Sequence, residues 1–370
     1  MLRDSDLEKW EYREHTRVKH IILEKYLRAW IKVVGSSFRR ICYFDGFAGR
    51  GEYTDGELGS PLRALKLADE LEKYYEKFVF IFIEKDQENF RNLESILGRE
   101  IPKIKHIDKI QVVDPKNDEF ANVIEGLFKY LEQQKYILVP SFFFIDPFGF
   151  SGIPFDIVKK ILSNPRTEVF STFMVRDIRR FLSLEKLEEI FNRLFGNDKW
   201  KEVLITEDNQ DLELRDLYRK NLHEIAGLKY SWSFRVCTPE KLLTLYYLIH
   251  ATNNFKGHSI MKQVMHKQSA VGNFAYLGPE DVSERSQIKL FDINNIEDLK
   301  KYLLDRFKRD VKTYDGIQEE VCEPWYEEPP YVDKHYRKAL KELEKEQKVI
   351  IERICSKKTG LKGNDRITFI

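Results

Sequence analysis

The sequence predicts an α/β protein with a doubly wound, Rossmann-like parallel sheet, followed by a smaller winged-helix-like domain. Short apolar runs alternate with helical patterns along the first half of the chain, as in folds with helices on both faces of a sheet. Several of these runs end in an acidic residue, at the strand end where such folds bind ligands. Residues 332–370 instead read as helix, strand, glycine-containing turn and strand.

The composition is that of a globular protein. The 370 residues are 42% hydrophobic and 33% charged, and no apolar run approaches the roughly 20 residues that span a bilayer. The N-terminal residues lack the apolar segment of a signal peptide, so we expect a cytoplasmic protein. Because the four cysteines lie far apart and form no C-x-x-C pair, we expect no metal site.

The first elements are a long amphipathic helix, predicted over residues 8–34, and a strand over residues 41–44. In the stretch Tyr43–Gly51, an apolar strand end is followed by Asp45, and three glycines then fall within six positions. Glycines let the backbone turn tightly and approach a ligand closely, although an ordinary turn capped by Asp45 fits the same residues. The stretch therefore predicts either a ligand loop or a capped turn.

The alternation continues over the next 120 residues. Ser60 and Pro61 form a helix start, because serine caps helices and proline suits their first position. Further strands are predicted over 78–83, 110–113, 142–145 and 169–174, with helices over 88–97, 119–133 and 154–162. The first three of these strands run into Glu84, Asp114 and Asp146, so their acidic groups should meet at one edge of the sheet.

The remainder divides into an insertion, a sheet addition and a C-terminal domain. Residues 176–227 read as a helical insertion over the sheet, and residues 231–236 and 243–249 as two further strands. We predict a first domain over 1–288 and a winged-helix-like domain over 289–370. Residues 331–370 hold eleven Lys/Arg and six Asp/Glu, a basic excess that suggests a nucleic-acid partner.

The strand-end residues suggest an adenosine-containing ligand rather than a dinucleotide. An acid at the second strand end commonly binds both ribose hydroxyls, which predicts that role for Glu84. It lies about 38 residues beyond Gly46, against roughly 20 in the dinucleotide fold, and the loop does not follow G-x-G-x-x-G. Asp114 could accept from an adenine amino group or cap the turn that follows it.

The second cluster is Asp146-Pro147-Phe148-Gly149-Phe150. A carboxylate at a strand end, followed by a proline carbonyl and an aromatic ring, suits work on a planar amine. The Asp146 side chain and the Pro147 carbonyl would accept from the NH₂ group, and Phe148 would stack on the base. A strand followed by a turn with buried phenylalanines is the structural alternative.

Together these residues resemble the S-adenosylmethionine-dependent methyltransferase fold, and more narrowly the three-Cys-motif partner family (TcmP). The matching stretches are Lys19–Leu27, Phe44–Gly51, Gly59–Leu62, Ile83-Glu84 and Phe144–Gly149. The resemblance implies S-adenosylmethionine as cofactor, held around Asp45, Gly46, Phe47, Gly49, Glu84 and Asp114. It also implies a partner protein that carries a three-cysteine motif, with iron–sulfur or radical chemistry.

Three functions follow as hypotheses. The first is methyl transfer to nucleic acid, DNA or RNA, with Asp146, Pro147 and Phe148 at the acceptor amine. The second is a non-catalytic adaptor that binds the cofactor or a nucleotide and the partner protein. Its motivation is that base amino-methyltransferases carry Asp/Asn-Pro-Pro-Tyr/Phe where this chain has Asp-Pro-Phe-Gly. The third is an enzyme that uses a different nucleotide at the same strand ends.

Overall fold

The computed structural model describes residues 11–206, 209–238, 242–269, 272–278, 295–354 and 360–370. The chain divides into two compact units, residues 1–264 with 276–279 and residues 265–275 with 280–370. The predicted boundary between residues 288 and 289 lies outside the described residues.

The first unit is built on a twisted, mostly parallel sheet. Its strands are β1 (Arg40–Asp45), β2 (Lys77–Phe82), β3 (Ile110–Val112), β4 (Ser141–Ile145), β5 (Thr167–Phe173), β6 (Tyr230–Cys237) and β7 (Thr244–Thr252). They lie in the order β3-β2-β1-β4-β5-β7-β6, and a short strand β8 (Ala275–Tyr276) follows β6 at the edge of the sheet. Strand β7 is antiparallel to β5 and β6. The pairs among β1 to β5 are all parallel. The predicted doubly wound, Rossmann-like sheet is thereby confirmed.

The helices of this unit largely follow the predicted positions. They are α1 (Glu14–Trp30), α2 (Ser60–Glu70), α3 (Gln87–Glu100), α4 (Phe120–Gln134), α5 (Phe155–Leu162), α6 (Val175–Phe181), α7 (Glu188–Phe195), α8 (Gln210–Glu224) and α9 (Phe255–Lys267). The first helix begins later than predicted, because Arg13 is extended, and it closes in a π-helical turn, Ile31–Gly35. Among the described helices, none has the length and apolar character needed to cross a bilayer.

Alternate side chains of each strand point to opposite faces of the sheet. Because these strands are apolar throughout, both faces carry apolar side chains, and helices cover both. On one face, Phe142 of β4 packs against Tyr26 and Trp30 of α1. On the other face, Phe143 stacks on Phe44 at 4.2 Å between ring centroids. The core on that side takes in residues of α4 and α5 and also of α6, α7 and α8. The helices of residues 176–227 therefore share the core of the sheet.

The second unit has the winged-helix arrangement. Its elements are α10 (Ile296–Arg306), β9 (Val311–Thr313), α11 (Tyr314–Glu320), α12 (Asp333–Lys345), β10 (Val349–Glu352) and β11 (Arg366–Phe369). Strands β10, β11 and β9 form an antiparallel sheet in that order. The predicted last helix and two strands are confirmed, whereas part of the predicted basic turn, residues 355–359, lies outside the described residues.

A polar cluster is buried at the amino-terminal end of β5. The Glu168 carboxylate accepts a hydrogen bond from the Tyr26 hydroxyl and lies 2.9 Å from His250 Nε2. All three side chains are buried. Gly257 of α9 completes the enclosure, since a Cβ there would lie 2.9 Å from the Tyr26 hydroxyl oxygen and 3.0 Å from Glu168 Oε1. The cluster joins α1, β5, β7 and α9 at the end of the sheet opposite to the strand-end acids.

Candidate active site

The candidate site lies at the carboxyl ends of β1, β2 and β4. The chain runs outward from β1 through β2 to β3, then returns to place β4 on the other side of β1. The strand order thus reverses between β1 and β4, which is where open α/β sheets bind their ligands. The Gly46 amide donates to the Phe144 carbonyl at 2.9 Å, so the glycine loop starts directly beside β4.

Packing at one position and backbone conformation at two others require glycine in the loop. A Cβ on Gly46 would lie 2.7 Å from the Phe120 ring, closer than real side chains approach. Gly49 and Gly51 adopt φ of +62° and +81°, the left-handed region that side chains disfavour. The loop is therefore a fixed, tightly packed turn.

Glu84 holds the loop from the neighbouring strand. Its Oε2 accepts from the Gly49 amide at 2.8 Å, and its Oε1 accepts from the Asp86 amide at 2.7 Å. Only 8% of the residue is exposed. Burial raises the pKa of the Glu84 carboxyl above its ordinary value, against the opposing effect of the two amides. Each carboxylate oxygen keeps a second lone pair, so ribose hydroxyls can still be accepted.

Asp45 is fully buried, with 0% exposure. The Tyr43 hydroxyl donates to its Oδ2 at 3.3 Å, while Oδ1 has no hydrogen-bond partner of normal geometry. Burial raises the pKa of Asp45 to about 7, against the lowering effect of Ser60, with a further increase from the charge of Asp146. The structure thus gives Asp45 a place beneath the loop, where it supports the strand end.

We expect Asp45 to make folding pH-dependent. Its folded-state pKa of about 7 lies above the ordinary value of 3.8, so the folded chain binds this proton more tightly than the unfolded chain. Stability is therefore lost as pH rises through this window, at up to roughly 1.4 kcal/mol per pH unit. In urea unfolding from pH 4 to 7, Asp45→Asn should lack this loss. The exposed control Asp156→Asn should keep it, and parallel curves for Asp45→Asn and wild type would contradict the assignment.

Two further residues were predicted to bind the cofactor, Phe47 within the loop and Asp114 after β3. Phe47 is partly buried, and its ring centroid lies 5.7 Å from that of Phe120. Asp114 follows β3 and is exposed to solvent. It therefore stands beyond β2 from the switch point, further from the loop than Glu84 is. The predicted adenine contact of Asp114 stays a prediction.

Asp146 lies at the end of β4 in an ion pair that the sequence did not reveal. Its Oδ2 pairs with Lys19 Nζ from α1, and its Oδ1 accepts from the Thr172 hydroxyl at 2.6 Å. The Lys19 and Asp146 side chains are 9% and 18% exposed. Pro147 is buried, whereas Phe148 is 73% exposed. The carboxylate is thus oriented from two elements, and the ring beside it faces outward.

A cavity of about 320 Å³ opens directly beside this ion pair. It is lined by Glu11, Arg13, His15, Thr16, Lys19, Asp146, Pro147, Phe148, Thr172, Met174 and Tyr246. Burial lowers the pKa of His15 to about 4, and the charges of Lys19 and Arg13 lower it further, so this imidazole is neutral at neutral pH. The Tyr246 hydroxyl donates to the His15 carbonyl at 2.8 Å, which holds one wall in place. The cavity combines aromatic rings with one oriented carboxylate.

Two other polar residues of α1, His20 and Lys25, do not line this cavity. His20 is buried and stacks on Tyr12, with burial holding the pKa of His20 well below its usual range. Lys25 is exposed. The lysine of this helix that lines the cavity is Lys19, whose only sequence signal was its place in the Lys19–Leu27 stretch.

One known protein family matches the C-terminal part of the chain. Residues 280–353 match the family described as "GMT-like wHTH domain". That match supports the winged-helix reading of the C-terminal unit. No curated protein matched the chain.

Solved structures with similar folds cover about two thirds of the chain. Precorrin-6y C5,15-methyltransferase from Geobacter metallireducens GS-15 has a TM-score of 0.31 and 12% identity, covering 67% of this chain and 92% of its own. DszA carbon methyltransferase has a TM-score of 0.40 and 12% identity, over 68% and 57%. Cofactor-bound Rv0187 from MTB has a TM-score of 0.33 and 10% identity, over 68% and 91%. Similarities at this level say nothing of substrate or activity.

Proposed function

We propose that the chain is an S-adenosylmethionine-dependent methyltransferase that acts on an amine of a nucleic-acid base. The observation that carries the proposal is the contact between the Glu84 carboxylate and the Gly49 amide at the switch point of the sheet. It fixes a glycine loop next to a strand-end acid that can accept ribose hydroxyls. The cavity beside Asp146, on the other side of β1, would then take the acceptor.

The residues fit the cofactor by their donor and acceptor chemistry. Glu84 would accept from the ribose hydroxyls through its free lone pairs, and the loop from Gly46 to Gly51 would line the rest of the ligand. The bound cofactor would supply an electrophilic methyl group on a sulfonium. Two nearby carboxyl groups, Asp45 and Asp146, suit a ligand that carries positive charge at this place.

On the acceptor side, Asp146 would orient the amine. The cofactor would supply the methyl group with its sulfur as the leaving group, and the proton lost by the amine nitrogen would leave along the hydrogen bond to the Asp146 carboxylate. Asp146 would accept a hydrogen bond from the NH₂ group, which keeps the nitrogen lone pair aimed at the methyl group. As at Glu84, each Asp146 oxygen keeps a second lone pair, so Oδ2 can accept from the amine beside Lys19 Nζ. The exposed Phe148 ring would stack on the base.

The same ion pair favours a second candidate, a non-catalytic adaptor. Both Asp146 oxygens already have partners, Lys19 and Thr172, so the carboxylate is held without any acceptor. In this reading the chain would bind the cofactor or another nucleotide and a partner protein without turnover. The resemblance to the three-Cys-motif partner family supplies the partner, a protein with a three-cysteine motif, and co-purification of the two chains tests it.

Calorimetry with S-adenosylmethionine tests the proposed site. We expect binding by the wild type and a loss of about 10- to 100-fold in affinity for Glu84→Gln, because an amide accepts at only one of its two terminal atoms. Glu94→Gln, at an exposed position of α3, is the matched control and should bind normally. Absence of wild-type binding would overturn the proposal. A different nucleotide co-purifying with the chain, identified by mass spectrometry, would instead favour the third hypothesis.

A further inference from the structure

Helix α6 begins at the wall of the candidate acceptor cavity and carries two arginines on its outer side. Met174, the residue before the helix, lines the cavity. Val175 and Ile178 are buried in the core on the inner side, whereas Arg176 and Arg180 are exposed. Because they are four residues apart, the two arginines lie one above the other on the helix surface. We name them the arginine pair.

Neither member of the arginine pair forms an ion pair within the part of the chain that the structure describes. Arg179, the third arginine of α6, instead pairs with Asp211, at 2.9 Å between Nη1 and Oδ1. Arg180 lies over the Phe181 ring, with 5.1 Å between the guanidinium carbon and the ring centroid. A guanidinium over a ring keeps its N–H donors in its own plane, where an anion can accept from them. The arginine pair therefore offers both donors and positive charge to an anion from solvent.

The segment that follows β4 packs against the same helix. The centroid of the Phe150 ring lies 6.1 Å from that of Phe181 in α6 and 5.1 Å from that of Phe191 in α7. Phe148, two residues earlier, lines the cavity and keeps 73% of its surface exposed. An exposed aromatic ring and the arginine pair thus stand on two elements that meet beside the cavity.

We propose that the arginine pair binds the phosphates next to the acceptor nucleotide of a single-stranded nucleic acid. The two arginines are about 6 Å apart along the helix, which suits successive phosphates of one strand. Guanidinium groups bind phosphate oxygens through pairs of N–H donors, and such contacts position a strand without reading its sequence. The inference rests on the proposed function, because it takes the cavity beside Asp146 as the place of the acceptor base.

The enclosure of the acceptor site favours a single strand over a duplex. The Asp146 side chain is only 18% exposed, so an amine must enter the cavity to reach it. A paired and stacked base cannot do so until it leaves the duplex, whereas the base of a single strand can. Proteins that bind single strands combine phosphate contacts with aromatic rings on which bases stack, and here Phe148 supplies the ring.

Fluorescence anisotropy with the full chain and a labelled single strand of mixed sequence tests the inference. The strand is offered as DNA and as RNA, which share the phosphate chemistry, and the tighter complex identifies the kind of strand. We expect Arg176→Gln/Arg180→Gln to weaken binding about tenfold at about 50 mM salt. The slope of log K against log salt should fall by about 1.4, because each phosphate contact on a single strand contributes roughly 0.7.

The control Arg40→Gln/Arg166→Gln removes the same charge from the opposite end of the sheet. Arg40 is the first residue of β1, Arg166 directly precedes β5, and both are exposed. Arg166 also lies over an aromatic ring, at 4.6 Å from the centroid of Phe38, as Arg180 does over Phe181. The control therefore matches both the charge and the ring contact, and it should change affinity less than about twofold.

Equal effects of the two variant pairs would overturn the inference, since they would report net charge alone. Absence of binding to both single strands by the wild type would overturn it as well. A duplex of the same sequence is the third arm. Loss of the arginine pair should weaken duplex binding less than single-strand binding, and an equal loss would contradict the selection of a single strand.

Calorimetry with S-adenosylmethionine on the same variants separates the two proposals, because α6 is not part of the cofactor loop. We expect Arg176→Gln/Arg180→Gln to bind the cofactor like the wild type. Cofactor binding together with strand binding that does not depend on the arginine pair sinks only this inference. Strand binding that depends on the pair, without any cofactor binding, sinks only the proposed activity.

Discussion

Asp146→Asn is expected to abolish methyl transfer, by at least 100-fold in turnover. The substitution removes the charge that would orient the acceptor amine and receive its hydrogen bond, an effect worth 10²–10⁴-fold in comparable sites. It also leaves Lys19 mostly buried without its counter-charge, which should cost about 3 kcal/mol of unfolding free energy. Transfer of a radiolabelled methyl group to DNA or RNA and urea unfolding measure the two effects.

The double variant Lys19→Met/Asp146→Asn separates folding from chemistry. It removes both charges together, so most of the lost stability should return while methyl transfer stays absent. Asp156→Asn, an exposed aspartate on α5, is the matched control and should keep full activity and stability. Unchanged methyl transfer by Asp146→Asn would remove Asp146 from the mechanism. Absence of transfer by the wild type, with cofactor binding intact, would favour the adaptor.

Glu168→Ala is expected to give the largest loss of stability, about 3–5 kcal/mol. The Tyr26 hydroxyl and His250 Nε2 both meet the Glu168 carboxylate in a fully buried place, and alanine would leave them without this partner. Burial lowers the pKa of His250, so the ring stays neutral at pH 7 in the variant. Urea unfolding at pH 7 measures the effect.

Cofactor affinity should not change in this variant. Glu168 lies four residues before Thr172 on β5, roughly 13 Å away along the strand, at the end of the sheet opposite to the candidate site. Glu168→Gln should cost less than Glu168→Ala, because the amide oxygen can still accept from Tyr26. Glu189→Ala, on an exposed acid of α7, should stay within about 0.5 kcal/mol of the wild type. A loss below 1 kcal/mol for Glu168→Ala would contradict the assignment.

The sequence predicted the fold and the edge of the sheet where the acids meet, because both depend on local patterns. Strand runs bounded by acids and helix starts such as Ser60-Pro61 are readable within a few residues. For these reasons Asp45, Glu84 and Asp146 were expected at one edge, and that is where the structure has them. The reversal between β1 and β4 was not predicted, because an alternation of strands and helices does not determine the order of the strands in the sheet.

What the sequence did not reveal were the partners of these acids. Lys19 and Asp146 are 127 positions apart, and Glu168 and His250 are 82 apart, so no local pattern links them. The burial of Asp45 could not be predicted either, because a strand-end acid gives the same sequence pattern whether it contacts a ligand or lies under the loop. Likewise, the engagement of Glu84 with the Gly49 amide depends on how β1 and β2 pair.

The segment between the glycine loop and α2 forms a lobe that closes on itself. The Gly59 amide donates to the Gly51 carbonyl at 2.9 Å, and Glu52 and Leu58 form a β-bridge just inside this closure. The two ends of the lobe therefore meet at a fixed point, whatever lies between them. Residues 54–56, at the tip of the lobe, can therefore vary without shifting the start of α2, whereas Tyr53 packs against Tyr12 and His20, and Glu57 pairs with Arg63 of α2.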